Sequence, residues 1–553
     1  MWQSLHSGLG PMPGTLAYLC ASVRACVGGM SAGVRVRAFC GDRRGSVAII
    51  FALGFSAVML MAAVAIDFGR TQTAYLRSQN ALDAAALAAA HSIGLPDQET
   101  AATQTANAYY QANTVNRHTY SALTTLDVDS DNGQVTGQAT GNVATTLLQA
   151  FGIKQVPYFN NAIVKKGKGT VEVALVLDNS GSMAGTPISD LRHAAQNLLN
   201  VVFAGTDGTD KVKVGVVPFA AAVNVGAQNA GASWMDTGGL SPVHYENFAE
   251  NRTRFDLFSA MGVSWSGCVE ARPSPHDVTD SVPTASDPAS LFVPMFAPDE
   301  PDNANDEGYS YGNNYLPDTG GSCPAPPPAT CLRVSRHGNC LEWSNPPPIP
   351  AAEAQARTCK YDDATPTGQG PNYLCDAKPI MPLTEDKDAL ATMIGGLQAK
   401  GGTNILEGLM WGWRLVSPEA PYTEGRSYDA QENTKYIVLM TDGENWHQAS
   451  SNQNKSTYHS FGYAVKGRLG TTYTTSALVS QMNTKTLAAC ANAKTAGIKV
   501  YTIAFRLASG PTRDMLATCA SSLTNAYVAS DGTSLISAFE SIGREIAKLR
   551  VAG

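Results

Sequence analysis

The sequence predicts a doubly wound parallel α/β sheet with a long insertion, preceded by an N-terminal transmembrane helix and a small α+β region. Three observations carry this. Apolar strand-like runs alternate with helices of ten or more residues over 170–224 and again over 379–550. Between these blocks, residues 225–378 shift to Pro, Gly, Asn, Asp and aromatics, as expected of an insertion. Near the N-terminus, residues 47–66 carry no charge. At about 1.5 Å per residue they can cross a hydrocarbon core of about 30 Å.

The chain has 553 residues, 44% of them hydrophobic, and a net charge of −7. That length predicts two or three domains. The negative balance, and the lack of a Lys/Arg cluster in the large C-terminal part, argue against a nucleic-acid partner. Arg35, Arg37, Arg43 and Arg44 precede the apolar run and Asp67 follows it. The positive-inside rule therefore places residues 1–46 in the cytosol, with Met30 an alternative start, and everything beyond Asp67 outside. The other reading is a cleaved signal peptide, because "AVA" at 63–65 resembles a processing site. The length of the run favours a retained anchor.

Residues 67–169 begin with an Ala- and Leu-rich helix that continues out of the membrane and ends near Gly94 and Pro96. A second helix follows, then a hairpin turning at Asn132 and Gly133. The "DVDSDNG" run fails as a calcium loop. Asn132 and Gln138 stand where an EF-hand loop beginning at Asp127 needs Gly and Glu. In the α/β block, "VEVALVL" is a continuous apolar run suited to a strand buried on both faces, with a helix and "KVKVGVVPFA" after it. After the insertion come two helices, the strand "KYIVLMT", a helix, the strand "IKVYTIAF", a helix, the short strand "AYVAS" and a closing helix.

Of 11 cysteines, three lie at or before position 40. The other eight are Cys268, Cys323, Cys331, Cys340, Cys359, Cys375, Cys490 and Cys519, all beyond the span. An even number in an exported region predicts disulfides. Zinc is the competing reading, but no CxxC pair or HxxxH partner has ligand spacing. Cys490 and Cys519 end the helices on either side of "IKVYTIAF" and are expected to pair. The pairing of the other six stays open.

The stretch "DNSGSM" at 178–183 follows the first buried strand. "TDGEN" ends the strand "KYIVLM", and "GGTN" precedes a helix. In a doubly wound sheet, ligand groups gather at the carboxyl ends of strands. Asp178, Ser180, Ser182, Thr403 and Asp442 can then meet if the two strands are neighbours. All five offer hard oxygen, which suits Mg²⁺ first, or Mn²⁺ or Ca²⁺, rather than zinc. One position would stay open to water or to an acidic group from a protein partner. DxSxS alone is weak, because Asp and Ser are ordinary turn and N-cap residues. The three elements in this order make the stronger signal.

DxSxS after a buried strand, a downstream GGT and a strand ending in TDG resemble the von Willebrand factor A domain and its metal-ion-dependent adhesion site. The resemblance covers residues 170–224 and 379–550. "RRGSVAIIFALGF", the span and "QNALDAAALAAA" resemble the TadE/TadG-like proteins of Flp (Tad) pilus assembly. TadG-like members join such a segment to an external von Willebrand A domain. Prepilin-like members are cut after Gly and carry Glu at the fifth position beyond. Here Ile50 is fifth after Gly45, which again favours a retained anchor. The resemblance implies a single-pass bacterial inner-membrane protein with its bulk periplasmic. Its metal site would bind pilus machinery or a surface protein. A surface adhesin or matrix-binding protein unrelated to pili is the alternative. A hydrolase is the alternative of another class. "GYSYG" at 308–312 matches a nucleophile pattern but lacks the strand and helix of a nucleophile elbow, and no P-loop or HExxH occurs. The expectation is therefore not an enzyme. His447, just past "TDGEN", is expected to be a solvated loop histidine.

Overall fold

The computed structural model describes residues 46–90, 98–114, 119–129, 134–165, 169–204, 210–302, 311–324, 329–344 and 349–549. The N-terminal segment expected in the cytosol, the Asn132–Gly133 turn and the first three residues of "GYSYG" lie outside the described residues. The chain divides into two compact units, 1–128 with 135–164, and 129–134 with 165–553.

The first unit is organised by one 45-residue helix, α1 (Ser46–Ala90). Its first half leaves Ile50, Phe51, Leu53 and Val58 exposed. Among the described residues it is the one helix long and apolar enough to cross a membrane. Its second half buries Ala81, Leu82, Ala85, Ala86 and Ala89. This spacing of three and four defines one helical face. The face packs on Ala102, Ala106 and Tyr110 of α2 (Gln98–Thr114). Three strands complete the unit in the order β1 (Thr119–Asp129), β2 (Gln134–Ala144), β3 (Gln155–Lys165). The hairpin is as the sequence predicts, whereas β3 was not anticipated. Pro157 and the Asn160, Asn161 pair weaken the strand signal there. Asp67, the first residue past the apolar run, is buried and accepts the backbone N–H groups of Thr146, Leu147 and Leu148 at 2.8–2.9 Å.

The second unit begins with β4 (Thr170–Asp178), α3 (Thr186–Val202), β5 (Val212–Phe219) and β6 (Val223–Asn224). The insertion then contributes α4 (Arg254–Ala260), β7 (Cys268–Val269), the pair β8 (Cys331–Val334) and β9 (Cys340–Trp343), and α5 (Ala351–Ala356). After it come β10 (Met381–Thr384), α6 (Lys387–Gly395), α7 (Ile405–Val416), β11 (Asn433–Thr441) and α8 (Thr475–Thr495). β12 (Lys499–Phe505), α9 (Pro511–Cys519), β13 (Ala526–Ala529) and α10 (Gly532–Leu549) close the chain.

The sheet order is β13-β12-β11-β4-β5-β6-β7, with β10 also on β5. From β13 to β5 all pairs are parallel, whereas β6, β7 and β10 are antiparallel additions. The doubly wound parallel sheet expected from the sequence is thus present, and the short antiparallel strands add a mixed edge to it. β6 and β7 have two residues each and β10 only four, too short for a periodicity signal.

Alternate residues of the central strands serve two cores. Val173, Leu175 and Leu177 pack with Leu191 and Leu198 of α3 and Leu535 and Phe539 of α10. Ala174 and Val176 pack with α7 and with insertion aromatics such as Trp234, Phe292 and Phe296. Every residue of α7 is buried. Gly408 and Gly412, one turn apart, let this helix lie close to the sheet. A Cβ on Gly412 would sit 2.4 Å from a Val176 methyl, and one on Gly408 would sit 2.7 Å from the Phe219 ring. All eight cysteines among the described residues are in disulfides, Cys268–Cys375, Cys323–Cys359, Cys331–Cys340 and Cys490–Cys519.

Candidate metal centre

β4 and β11 are adjacent and in parallel register, Leu177 opposite Met440, so their carboxyl ends finish side by side. β4 leads through α3 to β5 on one side, while β11 flanks it on the other. This is the topological switch point of the sheet, where a crevice opens. Asp178 ends β4 at 0% exposure. Its Oδ1 accepts the Ser180 backbone N–H at 2.7 Å, and its Oδ2 accepts the Thr441 hydroxyl at 2.5 Å. The Ser180 and Ser182 hydroxyls are 3.0 Å apart, and Ser182 donates to Asp442 Oδ1 at 2.6 Å. The Thr403 and Ser182 hydroxyls both border Gly443. The five oxygen-bearing residues expected from the sequence therefore converge, with Asp178 at the floor and Ser182 exposed at the mouth.

Two backbone bonds join the loops that carry them. Gly181 N–H donates to Gly401 O at 2.9 Å, and Lys400 N–H donates to Asn179 O at 2.7 Å. Trp446 N–H donates to Thr403 O at 2.8 Å, and its indole fills the space beside Gly402, where a Cβ would be 2.4 Å from the ring. Asn404 caps α7 by accepting Glu407 N–H, while Asn445 accepts Ile405 N–H at 2.8 Å. The "GGTN" and "TDGEN" loops thus hold each other through the start of one helix.

Burial pushes the Asp178 carboxyl up to about 6, against the Thr441 and Ser180 bonds that lower it, and neighbouring Asp442 adds to the rise. Burial also raises Asp442, while the Ser182 hydroxyl lowers it. Two carboxylates so placed favour a cation between them.

The donor set fits a small hard ion. Ligand oxygens at about 2.0–2.1 Å from an octahedral Mg²⁺ are about 2.9 Å from their neighbours. The Ser180, Ser182 and Asp442 oxygens, hydrogen-bonded at 2.6–3.0 Å, are close enough together to share one such ion. Among the described residues, no three His, Cys, Asp or Glu side chains form a metal cluster. Only two of the five donors here are of those types.

A cavity of about 500 Å³ opens over the site. Its wall includes Trp446 and two insertion residues, Tyr373 and Leu374. Leu374 has φ +66°, a conformation that costs a non-glycine residue about 1–3 kcal/mol. The Cys268–Cys375 bridge fixes its neighbour, and Asp376 pairs with Lys400 at 2.6 Å beside the "GGT" loop. Sequence reasoning missed Thr441, Trp446 and these insertion residues. Only Thr441 carried a signal, lying within the quoted "TDGEN".

His447 corrects the expectation of a solvated histidine. It is buried, bonded through Nε2 to the Ser456 hydroxyl at 3.1 Å, and stacked on His459 with ring centroids 4.6 Å apart. Burial holds its imidazole down at about 4. The chain folds back at 456–460 to cover it, a long-range event invisible in the local sequence.

Residues 45–92 match the Tad family model, Flp pilus-assembly TadE/G-like. This apolar segment is similar to the TadE/G-like family. This TadE/G-like segment covers the apolar helix and the start of the first unit. No curated protein matches the chain in sequence. Several solved structures are similar in fold at low identity. The vWF domain of the type V pili tip protein Mfa5 from Porphyromonas gingivalis has a TM-score of 0.31 and 10% identity, covering 68% of this chain and 95% of that one. The pilus adhesin SpaC from Lactobacillus rhamnosus GG has a TM-score of 0.31 and 12% identity, covering 78% of this chain. This chain spans only 34% of SpaC. Proximal thread matrix protein 1 from the mussel byssus, solved with a zinc occupied MIDAS motif, has a TM-score of 0.27 and 10% identity, with 69% and 47% covered.

Proposed function

We propose that the protein is a membrane-anchored component of Flp-type pilus assembly. Its outer α/β unit holds one divalent cation on Asp178, Ser180, Ser182, Thr403 and Asp442, and through that ion a carboxylate of a protein partner. The observation that carries this reading is the convergence of the five oxygen donors under an open cavity at the carboxyl edge of β4 and β11. The TadE/G-like segment supports the pilus context.

Mg²⁺ is the first choice of ion, with Mn²⁺ and Ca²⁺ as the other hard candidates. When bound, the ion supplies an electrophilic position that accepts a carboxylate. The two aspartates balance its charge, and the three hydroxyls add none. Thr441 orients Asp178, and the interlocked loops fix Thr403 against Ser182. Tyr373, Leu374 and Trp446 shape the approach of the partner.

The reading is binding rather than catalysis. Two hydroxyl–imidazole contacts lie beside the loop, Ser456 with His447 and Ser460 with His459, but all four residues are buried, Ser456 donates to the Thr457 carbonyl and Ser460 accepts from Asn404. Neither pair presents a nucleophile to a solvent-borne substrate.

The test is titration of the purified, detergent-solubilised chain with Mg²⁺ and Mn²⁺, wild type against Asp178→Ala and Asp442→Ala. Saturable binding by the wild type, weakened at least about tenfold in each variant, is expected. Equal affinity in all three would remove the site. Metal binding without an EDTA-sensitive partner interaction would leave the ion merely structural.

A further inference from the structure

The first unit contains a second concavity, of about 750 Å³, wholly its own. It runs along α1. Ala65, Ile66 and Gly69 line one end, and Arg70, Arg77 and Asn113 line it further along. The apolar end coincides with the last turn of the uncharged run, which ends at Ile66. Arg70 is four residues beyond, about 6 Å along the helix axis, within the thickness of a headgroup layer. Arg77 is seven residues further on the same face. Side chains on a helix lean toward its N-terminus, here toward the membrane, so both guanidinium groups come down about one turn and stay about 10 Å apart along the axis.

The two arginines differ in their ties. Arg70 is held by Asp67 at 3.5 Å and by the Thr146 hydroxyl, both through Nη1. Arg77 is exposed and makes no hydrogen bond or ion pair among the described residues. A concavity with an apolar end at the membrane and guanidinium groups above it has the polarity of a phospholipid, acyl chains below and phosphate above.

A separate feature marks the same level. Asp67 takes three N–H groups at the start of the turn 148–151, which fixes that turn at the helix position just past the apolar run. Phe151 and Ile153 beside it are 50% and 47% exposed. Exposed large apolar side chains at that height suit the membrane interface.

We infer that the first unit sits in the outer headgroup layer and holds one anionic phospholipid. Its phosphate lies between Arg77 and Arg70, and its glycerol end lies against Ala65 and Ile66. The lipid orients the emerging helix, a role separate from the metal site.

The experiment uses the full chain in mild detergent, stripped of lipid and supplied with phosphatidylglycerol, with retained adducts read by native mass spectrometry. One retained lipid is expected in the wild type. Occupancy should fall at least about tenfold in Arg77→Ala, as expected for losing a charge-assisted pair, and recover partly in Arg77→Lys. Because the Arg77 side chain makes no hydrogen bond or ion pair among the described residues, thermal unfolding should not change. Diacylglycerol, which lacks the phosphate, should not be retained. Equal occupancy in wild type and Arg77→Ala would overturn the inference. So would equal retention of diacylglycerol, or displacement of the lipid by millimolar inorganic phosphate, which would make this a free-anion site.

Discussion

Thr441 donates its hydroxyl to the floor carboxylate of the candidate site and contributes no ligand of its own. Groups that orient a ligand in this way typically matter about 10–100-fold in metal affinity. Thr441→Val keeps the shape and removes the donor, so metal affinity should fall by about that factor while all five oxygens remain. Isothermal titration with Mn²⁺ measures it, and an unchanged affinity would separate Asp178 orientation from binding. His447 makes a prediction of another kind. Its folded pKa is lowered to about 4 by burial, against about 6.5 for an exposed histidine. The unfolded chain therefore binds the proton at higher pH than the folded chain does. The stabilising contribution is complete above about pH 6.5 and is lost as pH falls toward 4. At pH 4.5 the loss from this residue is about 2–3 kcal/mol. His447→Gln stays neutral and can still bond Ser456, so it should flatten part of the acid side of the stability curve. Urea unfolding of the solubilised chain at pH 7 and pH 4.5, followed by tryptophan fluorescence, checks this.

At the scale of elements, α7 lies close against the sheet because Gly408 and Gly412 have no side chain, and Gly412 has the tighter contact. A Cβ there would meet Val176, a stiff β-branched residue on a central strand. Gly412→Ala should therefore destabilise the second unit by about 1–3 kcal/mol despite the better helix propensity of alanine, visible as a lower denaturant midpoint. The Cys490–Cys519 bridge ties α8 to α9 across 29 residues. Replacing both cysteines with serine should cost about 2–4 kcal/mol, measured in the same way. These elements also show what the sequence could carry. "VEVALVL", the helices and the site loops were legible, because burial on two faces and turn chemistry leave marks within a few residues. The strands β3, β6, β7, β8, β9 and β10 were not: Pro157 interrupts β3, and the others are two to four residues long with no flanking helical alternation of the kind that marks β13. The five candidate ligands were readable because each sits where a strand ends or a helix begins. Their surroundings were not. Tyr373 and Leu374 reach the cavity by disulfide-braced chain tracing through the insertion, and His447 is buried by a segment ten residues away.

For the whole molecule, the arginines before the apolar run and the four disulfides after it must agree on one topology. By the positive-inside rule, Arg35, Arg37, Arg43 and Arg44 argue for a cytosolic N-terminal side. All four bridges belong to the second unit, and the longest, Cys268–Cys375, closes 107 residues and braces the cavity wall. Such bridges persist in an oxidising compartment and not in the cytosol. The proposed metal site can meet a pilus or surface partner only from that same side. Alkaline phosphatase, active only when exported, fused after Gly553 should therefore be active, and green fluorescent protein at the same position dark. Changing the four arginines to asparagine should lower the phosphatase signal and raise free thiols in the second unit, read by alkylation without reduction. A fluorescent, phosphatase-negative fusion would place the second unit in the cytosol, where its bridges would be reduced and Leu374 would lose the brace beside it. That outcome would remove the partner-binding role together with the topology, because both depend on the second unit emerging where Asp67 ends the apolar run.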